Sequence, residues 1–200
     1  RCDTDGLDLV RLTKKDASAG YPDVTLSLDG KSAYVIWREE KILRKMDMET
    51  GAMEDLLSVA DHCPPGLAVL AVRYGSVGSR LYLDLRDCMA GEGRMLRVDL
   101  ATGAVTANDT NMTIAAVDQA TGRLIVIKNF MKLGTKMGAD GARVFHNANP
   151  EPMRYYSVKE DGTDEQYIAD VDMYAHSTIL GKTSQIQGPS QPPHRCLWIS

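Results

Sequence analysis

Apolar residues along this chain fall in short runs rather than long ones. Tyr34-Val-Ile-Trp37, Leu81-Tyr-Leu-Asp-Leu85 and Leu124-Ile-Val-Ile127 are rich in β-branched, aromatic and leucine side chains. No long segment repeats its apolar positions every 3.6 residues between helix caps, so the pattern predicts strands. Between the runs stand Asp-Gly, Gly-Ser and Thr-Gly pairs, the residues of tight turns.

One phrase occurs twice. Ile42-Leu-Arg-Lys-Met-Asp-Met-Glu-Thr-Gly51-Ala-Met53 is echoed by Met95-Leu-Arg-Val-Asp-Leu-Ala-Thr-Gly103-Ala-Val105. Each reads as a strand that ends in a turn, with Gly taking the positive φ that closes a hairpin. Upstream of each copy is a second shared element, a turn followed by a tyrosine-bearing strand: Leu28-Asp-Gly-Lys-Ser-Ala-Tyr34-Val-Ile-Trp37 and Gly78-Ser-Arg-Leu-Tyr82-Leu-Asp-Leu85. A more diverged third copy is split. Asp118-Gln-Ala-Thr-Gly122-Arg-Leu-Ile-Val-Ile127 is followed only later by Met153-Arg-Tyr-Tyr-Ser-Val-Lys-Glu-Asp-Gly162-Thr, with a Gly- and Asn-rich insert over 134–150 between the halves.

The spacing from Tyr34 to Tyr82 is 48 residues and from Tyr82 to Ile125 it is 43, the length of a four-stranded blade. The expected fold is therefore all-β, a β-propeller of about four blades, with a β-sandwich as the alternative. Three blades are expected over 21–60, 66–108 and 113–170, with a composite blade from 1–20 and 171–200. In that arrangement N- and C-terminal strands pair and close the ring, removing open sheet edges. The equal alternative is a segment of a larger propeller.

The turn, the Tyr-Val strand, the "Ile-Leu-Arg-Lys-Met-Asp" strand and the Thr-Gly turn together resemble the NHL-type and YWTD-type propeller repeats. The resemblance covers 24–57 and 66–106 well and 114–168 poorly, and it implies a propeller scaffold without assigning a reaction. Four blades clasped end to end by cysteines resemble haemopexin architecture.

Composition narrows the partners. Acidic residues number 27 and basic ones 23, a net charge of −4, and the basic residues are scattered rather than gathered in a stripe; nucleic acid is not expected as a partner. The longest apolar run, 67–72, ends at Arg73, so no direct membrane span is expected. The start at Arg1, with no basic segment and apolar core behind it, reads as a processed mature chain or an excised segment. Cys2, Cys63, Cys88 and Cys196 form no CxxC pair. They are expected as disulfides, Cys2 with Cys196 across the composite blade and Cys63 with Cys88 locally. Two sequons, Asn108-Asp-Thr110 and Asn111-Met-Thr113, stand side by side after a predicted strand. With the even cysteine count they point to an extracellular or lumenal setting.

Candidate chemistry is sparse. Asp3, Asp5 and Asp8 flank Gly6 like the start of a calcium loop, but no distal glutamate follows at the EF-hand distance. His62-Cys63 and His194-Arg-Cys196 are the residue types of a zinc site, against which disulfides are preferred. No Gly-x-Ser-x-Gly elbow occurs, and Gly91-Glu-Gly93 reads as a hairpin connection rather than a phosphate loop. The insert carries Phe130, Lys132, Lys136, Arg143, Phe145, His146 and Asn147, a binding surface if the scaffold holds it rigidly, and otherwise a solvated hairpin. The expectation is a non-catalytic module that binds a protein or a glycan, without a cofactor. The alternatives are a metal-dependent propeller hydrolase or lactonase using Asp23, Asp118, Asn129 and Asp172, and a segment of a larger receptor or surface assembly.

Overall fold

The computed structural model describes residues 22–37, 39–87, 90–129, 133–137, 143–147 and 151–170. Three four-stranded antiparallel sheets follow one another along the chain. Sheet 1 runs β1 (Pro22–Leu26), β2 (Ser32–Trp37), β3 (Ile42–Asp47), β4 (Met53–Ser58), and sheet 2 runs β5 (Ala68–Gly75), β6 (Arg80–Asp87), β7 (Glu92–Asp99), β8 (Val105–Asp109). Sheet 3 contains β9 (Met112–Val117) and β10 (Leu124–Lys128). After β10 the chain makes a two-stranded ribbon, β11 (Leu133–Met137) with β12 (Arg143–Asn147), before returning to the sheet as β13 (Arg154–Val158) and β14 (Gln166–Asp170). The all-β expectation holds; among the described residues helix is limited to one 3-10 turn, Val59–His62.

The repeated phrase is the third strand of a sheet and its turn. In sheet 1, Asp47 Oδ1 accepts hydrogen bonds from the Glu49 and Thr50 amides at 2.9 and 2.7 Å and from the Thr50 hydroxyl at 2.9 Å. Gly51 follows at φ 73°. Asp99, Thr102 and Gly103 repeat this arrangement in sheet 2, with Gly103 at φ 72°. The aspartate satisfies amides the turn would otherwise expose, and Gly supplies the left-handed conformation. Asp118, Thr121 and Gly122 use the same device between β9 and β10.

The sheets stack face to face, with their first strands side by side and parallel. Asp23 on β1 accepts from the Val72 amide of β5, and Thr25 Oγ1 from the Tyr74 amide at 3.1 Å, both across an offset of 49 residues. Between β5 and the segment that follows, Arg73 Nε donates to the Ala115 carbonyl at 3.1 Å and the Gln119 side-chain amide donates to the Tyr74 carbonyl at 2.7 Å, offsets of 42 and 45. The sequence period is thus the offset between neighbouring first strands. Arg73 touches all three of them, since its guanidinium also lies 3.5 Å from Asp23.

Strand alternation sends the two faces of sheet 2 to different neighbours. Leu81, Leu83, Leu85, Leu96 and Val98 pack with Tyr34, Ile36 and Leu43 of sheet 1. Tyr82 and Met95 pack with Ile114, Leu124, Val126 and Val158 of sheet 3.

Candidate functional site

Because neighbouring first strands are parallel, every sheet presents equivalent loops at the same end. One end carries the β4–β5 and β8–β9 connections, the β6–β7 turn and the root of the β11–β12 ribbon. Here Pro64, Pro65, Leu67, Asp87, Arg94 and Asn111 line part of a groove of about 540 Å³. Arg94 donates to Asp109 at 2.6 Å, which holds the Asp109 carboxyl below its ordinary range. Asn111, the second sequon asparagine, is exposed at the groove, whereas Asn108 lies half-buried within β8, opposite Met95.

The insert is ordered into a ribbon. Leu133 pairs with Asn147, Gly134 with His146, Thr135 with Phe145, Lys136 with Val144 and Met137 with Arg143. Candidate residues Lys136, Arg143, Phe145, His146 and Asn147 therefore share one two-stranded element; Phe130 and Lys132 lie outside the described residues. The root is tied on both sides. Asn129 Nδ2 donates to Glu151 Oε2 at 2.8 Å, and Lys128 pairs with Glu165 at 2.5 Å while lying 5.2 Å from the Tyr156 ring centre. Met137 is 66% exposed.

The remaining candidates scatter. Cys63 is a free, half-buried thiol that donates to the Leu67 carbonyl at 3.1 Å, with Lys41 Nζ 3.5 Å from its sulfur. It stands unlinked in place of the expected bridge to Cys88, which lies outside the described residues, as do Cys2 and Cys196. Asp3, Asp5, Asp8, His194 and Asp172 lie outside them too. Asp23 is committed to β5, Asn129 to Glu151, and Asp118 to its own turn at the opposite end of sheet 3 from Asn129. These residues do not converge on one ion. Gly91 belongs to the expected hairpin connection between β6 and β7, while Glu92 and Gly93 already pair with Asp87 and Arg86 as the start of β7.

Sequence reading passed over the pair Asp84 and Arg86. Both side chains are buried between sheets 2 and 3, 3.5 Å apart at their closest, and Arg86 donates to the Met112 carbonyl at 2.7 Å. Among the described residues no donor reaches either Asp84 oxygen at hydrogen-bonding geometry. Burial pushes the Asp84 carboxyl up to about 6, against the attraction of Arg86 and the nearby Ile114 amide and Thr113 hydroxyl. The signal was present in the sequence: two opposite charges at alternate positions of an otherwise apolar strand must share one face.

No protein-family model matches the chain, and no curated protein is similar to it. Among solved structures the chain is similar to an oligogalacturonate lyase from Vibrio parahaemolyticus, at 12% identity and a TM-score of 0.38, covering 74% of this chain and 52% of that one. The chain thus spans about half the length of that protein.

Proposed function

We propose that the chain forms a β-propeller, or a segment of one, that serves as a non-catalytic extracellular binding module for a protein or a glycan. Consecutive four-stranded meanders with parallel first strands, offset by one sequence period, support the propeller; NHL-type or YWTD-type blades remain its nearest description by motif. The observation that carries the binding role is the β11–β12 ribbon. Its root is fixed by Asn129–Glu151 and Lys128–Glu165, at the end that also holds the groove. A preorganised element loses less entropy on binding than a free loop of equal length. Its polar and aromatic composition suits a carbohydrate or a polar protein surface.

The test compares the full chain with a variant in which 131–150 is replaced by a short Gly-Ser turn, both produced through a secretory pathway. Binding to a panel of immobilised glycans that disappears in the variant, while its thermal transition is kept, is the expected result. Equal binding by the two proteins overturns the ribbon as the contact element, and a protein partner cross-linked through a photoreactive group at Met137 would select that class over glycans. The same preparation reports the compartment: a glycosidase-sensitive mass at Asn111 is expected, and unmodified asparagine from a secreted product counts against the extracellular reading.

A further inference from the structure

At the end opposite the ribbon, a cleft of about 430 Å³ opens between sheets 2 and 3. Three donors on one face of sheet 2 meet there on a single carboxylate. Arg97 Nη1 donates to Glu160 Oε1 at 3.0 Å, Tyr82 donates its hydroxyl proton to Glu160 Oε2 at 3.1 Å, and Arg80 pairs with the same oxygen. Glu160 comes from the turn between β13 and β14. Lys159 beside it is 59% exposed at the rim and lies 3.9 Å from the Asp164 carboxylate. Arg123 closes one wall, already engaged by Ser157 and Asp164. Asp161 turns its carboxylate onto the Thr163 amide and hydroxyl, and Asp99, 4.0 Å from Arg80, is engaged by its own turn.

The repeat provides an internal control. Counting back from the shared turn, Arg80, Tyr82 and Arg97 of sheet 2 stand where sheet 1 has Ser32, Tyr34 and Lys45, since Arg80 pairs with Asp99 as Ser32 pairs with Asp47, and Tyr82 with Arg97 as Tyr34 with Lys45. Those sheet 1 residues line the equivalent cleft between sheets 1 and 2, where Tyr34 stacks on Tyr74 at 5.8 Å. The same fold therefore closes one cleft without a guanidinium. Two arginines and a phenol aimed at one carboxylate are an addition particular to the other.

We propose that this cleft is a binding site for a small oxyanion, a carboxylate- or phosphate-bearing molecule, and that Glu160 occupies it as an internal competitor. Guanidinium forks and a phenolic hydroxyl recognise carboxylates and phosphates alike. An incoming anion takes the place of the Glu160 carboxylate on Arg80 and Arg97, and Lys159 supplies further positive charge at the rim. The site lies at the other end of the sheets from the ribbon and does not depend on it.

Calorimetric titration of the full chain with citrate and with inorganic phosphate, at low ionic strength, tests this. Glu160→Gln removes the competitor while keeping the side chain's size, and is expected to tighten binding of at least one probe roughly tenfold over the parent, as freeing charge-assisted donors should. Adding Arg80→Ser and Arg97→Lys, the residues of the sister cleft, is expected to abolish that gain while circular dichroism still shows the native sheet signal. Lys45→Gln, in the sister cleft, is expected to leave binding unchanged. A purely structural ion pair predicts the reverse: Glu160→Gln loosens the fold and gains no affinity. No gain in Glu160→Gln, or an equal loss in Lys45→Gln, overturns the proposal.

Discussion

Asp84 occupies the position that the repeat gives to Ile36, and the two interfaces differ accordingly. Ile36 packs wholly in apolar contacts between sheets 1 and 2, whereas Asp84, 1% exposed, brings a carboxylate into the sheet 2–sheet 3 interface with Arg86 as counter-charge. Desolvation outweighs the attraction of the arginine, so the folded state holds its proton up to about pH 6, above the ordinary aspartate value of 3.8. The sign follows by linkage. Between these values the folded protein binds more protons than the unfolded chain, so stability falls as pH rises from about 4 to about 6 and levels off above. A shift of this size corresponds to about 3 kcal/mol at most. Asp47, Asp99, Asp118 and Asp161, whose carboxyls are lowered first of all by hydrogen bonds within their turns, act in the opposite sense and only near and below pH 4. Urea unfolding followed across pH 4 to 7 should show the decline in the parent and lose it in Asp84→Asn. Asp84→Asn, which mimics the protonated carboxyl, should unfold at about the parent's urea concentration near pH 4 and at a higher one above about pH 6, where the parent carries the desolvated charge. A decline that persists in Asp84→Asn would assign it to another group.

At the scale of elements, two glycines separate two reasons for having no side chain. Gly103 adopts φ 72° and has open space around it, so Gly103→Ala should cost only the backbone penalty, about 1 to 2 kcal/mol. Gly93 has no positive φ, but a Cβ there would meet the Arg86 guanidinium and the Thr110 carbonyl at 2.9 Å. Gly93→Ala should therefore displace Arg86, cost about 1 to 3 kcal/mol in chemical unfolding, and alter the pH profile set by Asp84. Gly103→Ala should leave that profile intact. Turns such as these were legible in the sequence because an Asp, a Thr and a Gly at fixed spacing each have one local job. The strand between them was legible only in part. The shared Leu-Arg letters suggest that Leu43 matches Leu96, yet strand pairing equates Leu43 with Met95, each facing the following sheet, while Leu96 faces the preceding one. Sheet 2 is one residue shorter between these letters and its turn, and in a strand one residue reverses the face. Identical letters at a shifted register thus misreport the core. The cleft arginines and Glu160 escaped notice for a related reason: they are 63 to 80 residues apart in sequence and meet only after the sheets stack.

In the molecule as a whole, sheet 2 is the member with both faces covered by described sheets, and the couplings it makes are of two kinds. Apolar packing joins it to sheet 1 through Leu81, Leu83 and Leu85 against Ile36 and Leu43, and to sheet 3 through Tyr82 and Met95 against Ile114 and Val126. Side-chain bonds between first strands, above all those of Arg73, Asp23 and Thr25, then fix the sheets in register. Stacked units that touch only their neighbours can unfold one at a time unless the interfaces are as strong as the sheets themselves. Leu83, 0% exposed, sits at the centre of the apolar packing between sheets 1 and 2 and probes that coupling. Leu83→Ala should cost about 2 to 5 kcal/mol. Its reach is what decides cooperativity, because Leu83 faces sheet 1 alone. If the three sheets unfold as one, native-state hydrogen exchange will show protection falling by the same free energy at β2, β6 and β10. If they do not, the loss will stop at sheets 1 and 2 and leave β10 and β13 at their original protection, and the chain would be an array of semi-independent blades rather than one folding unit.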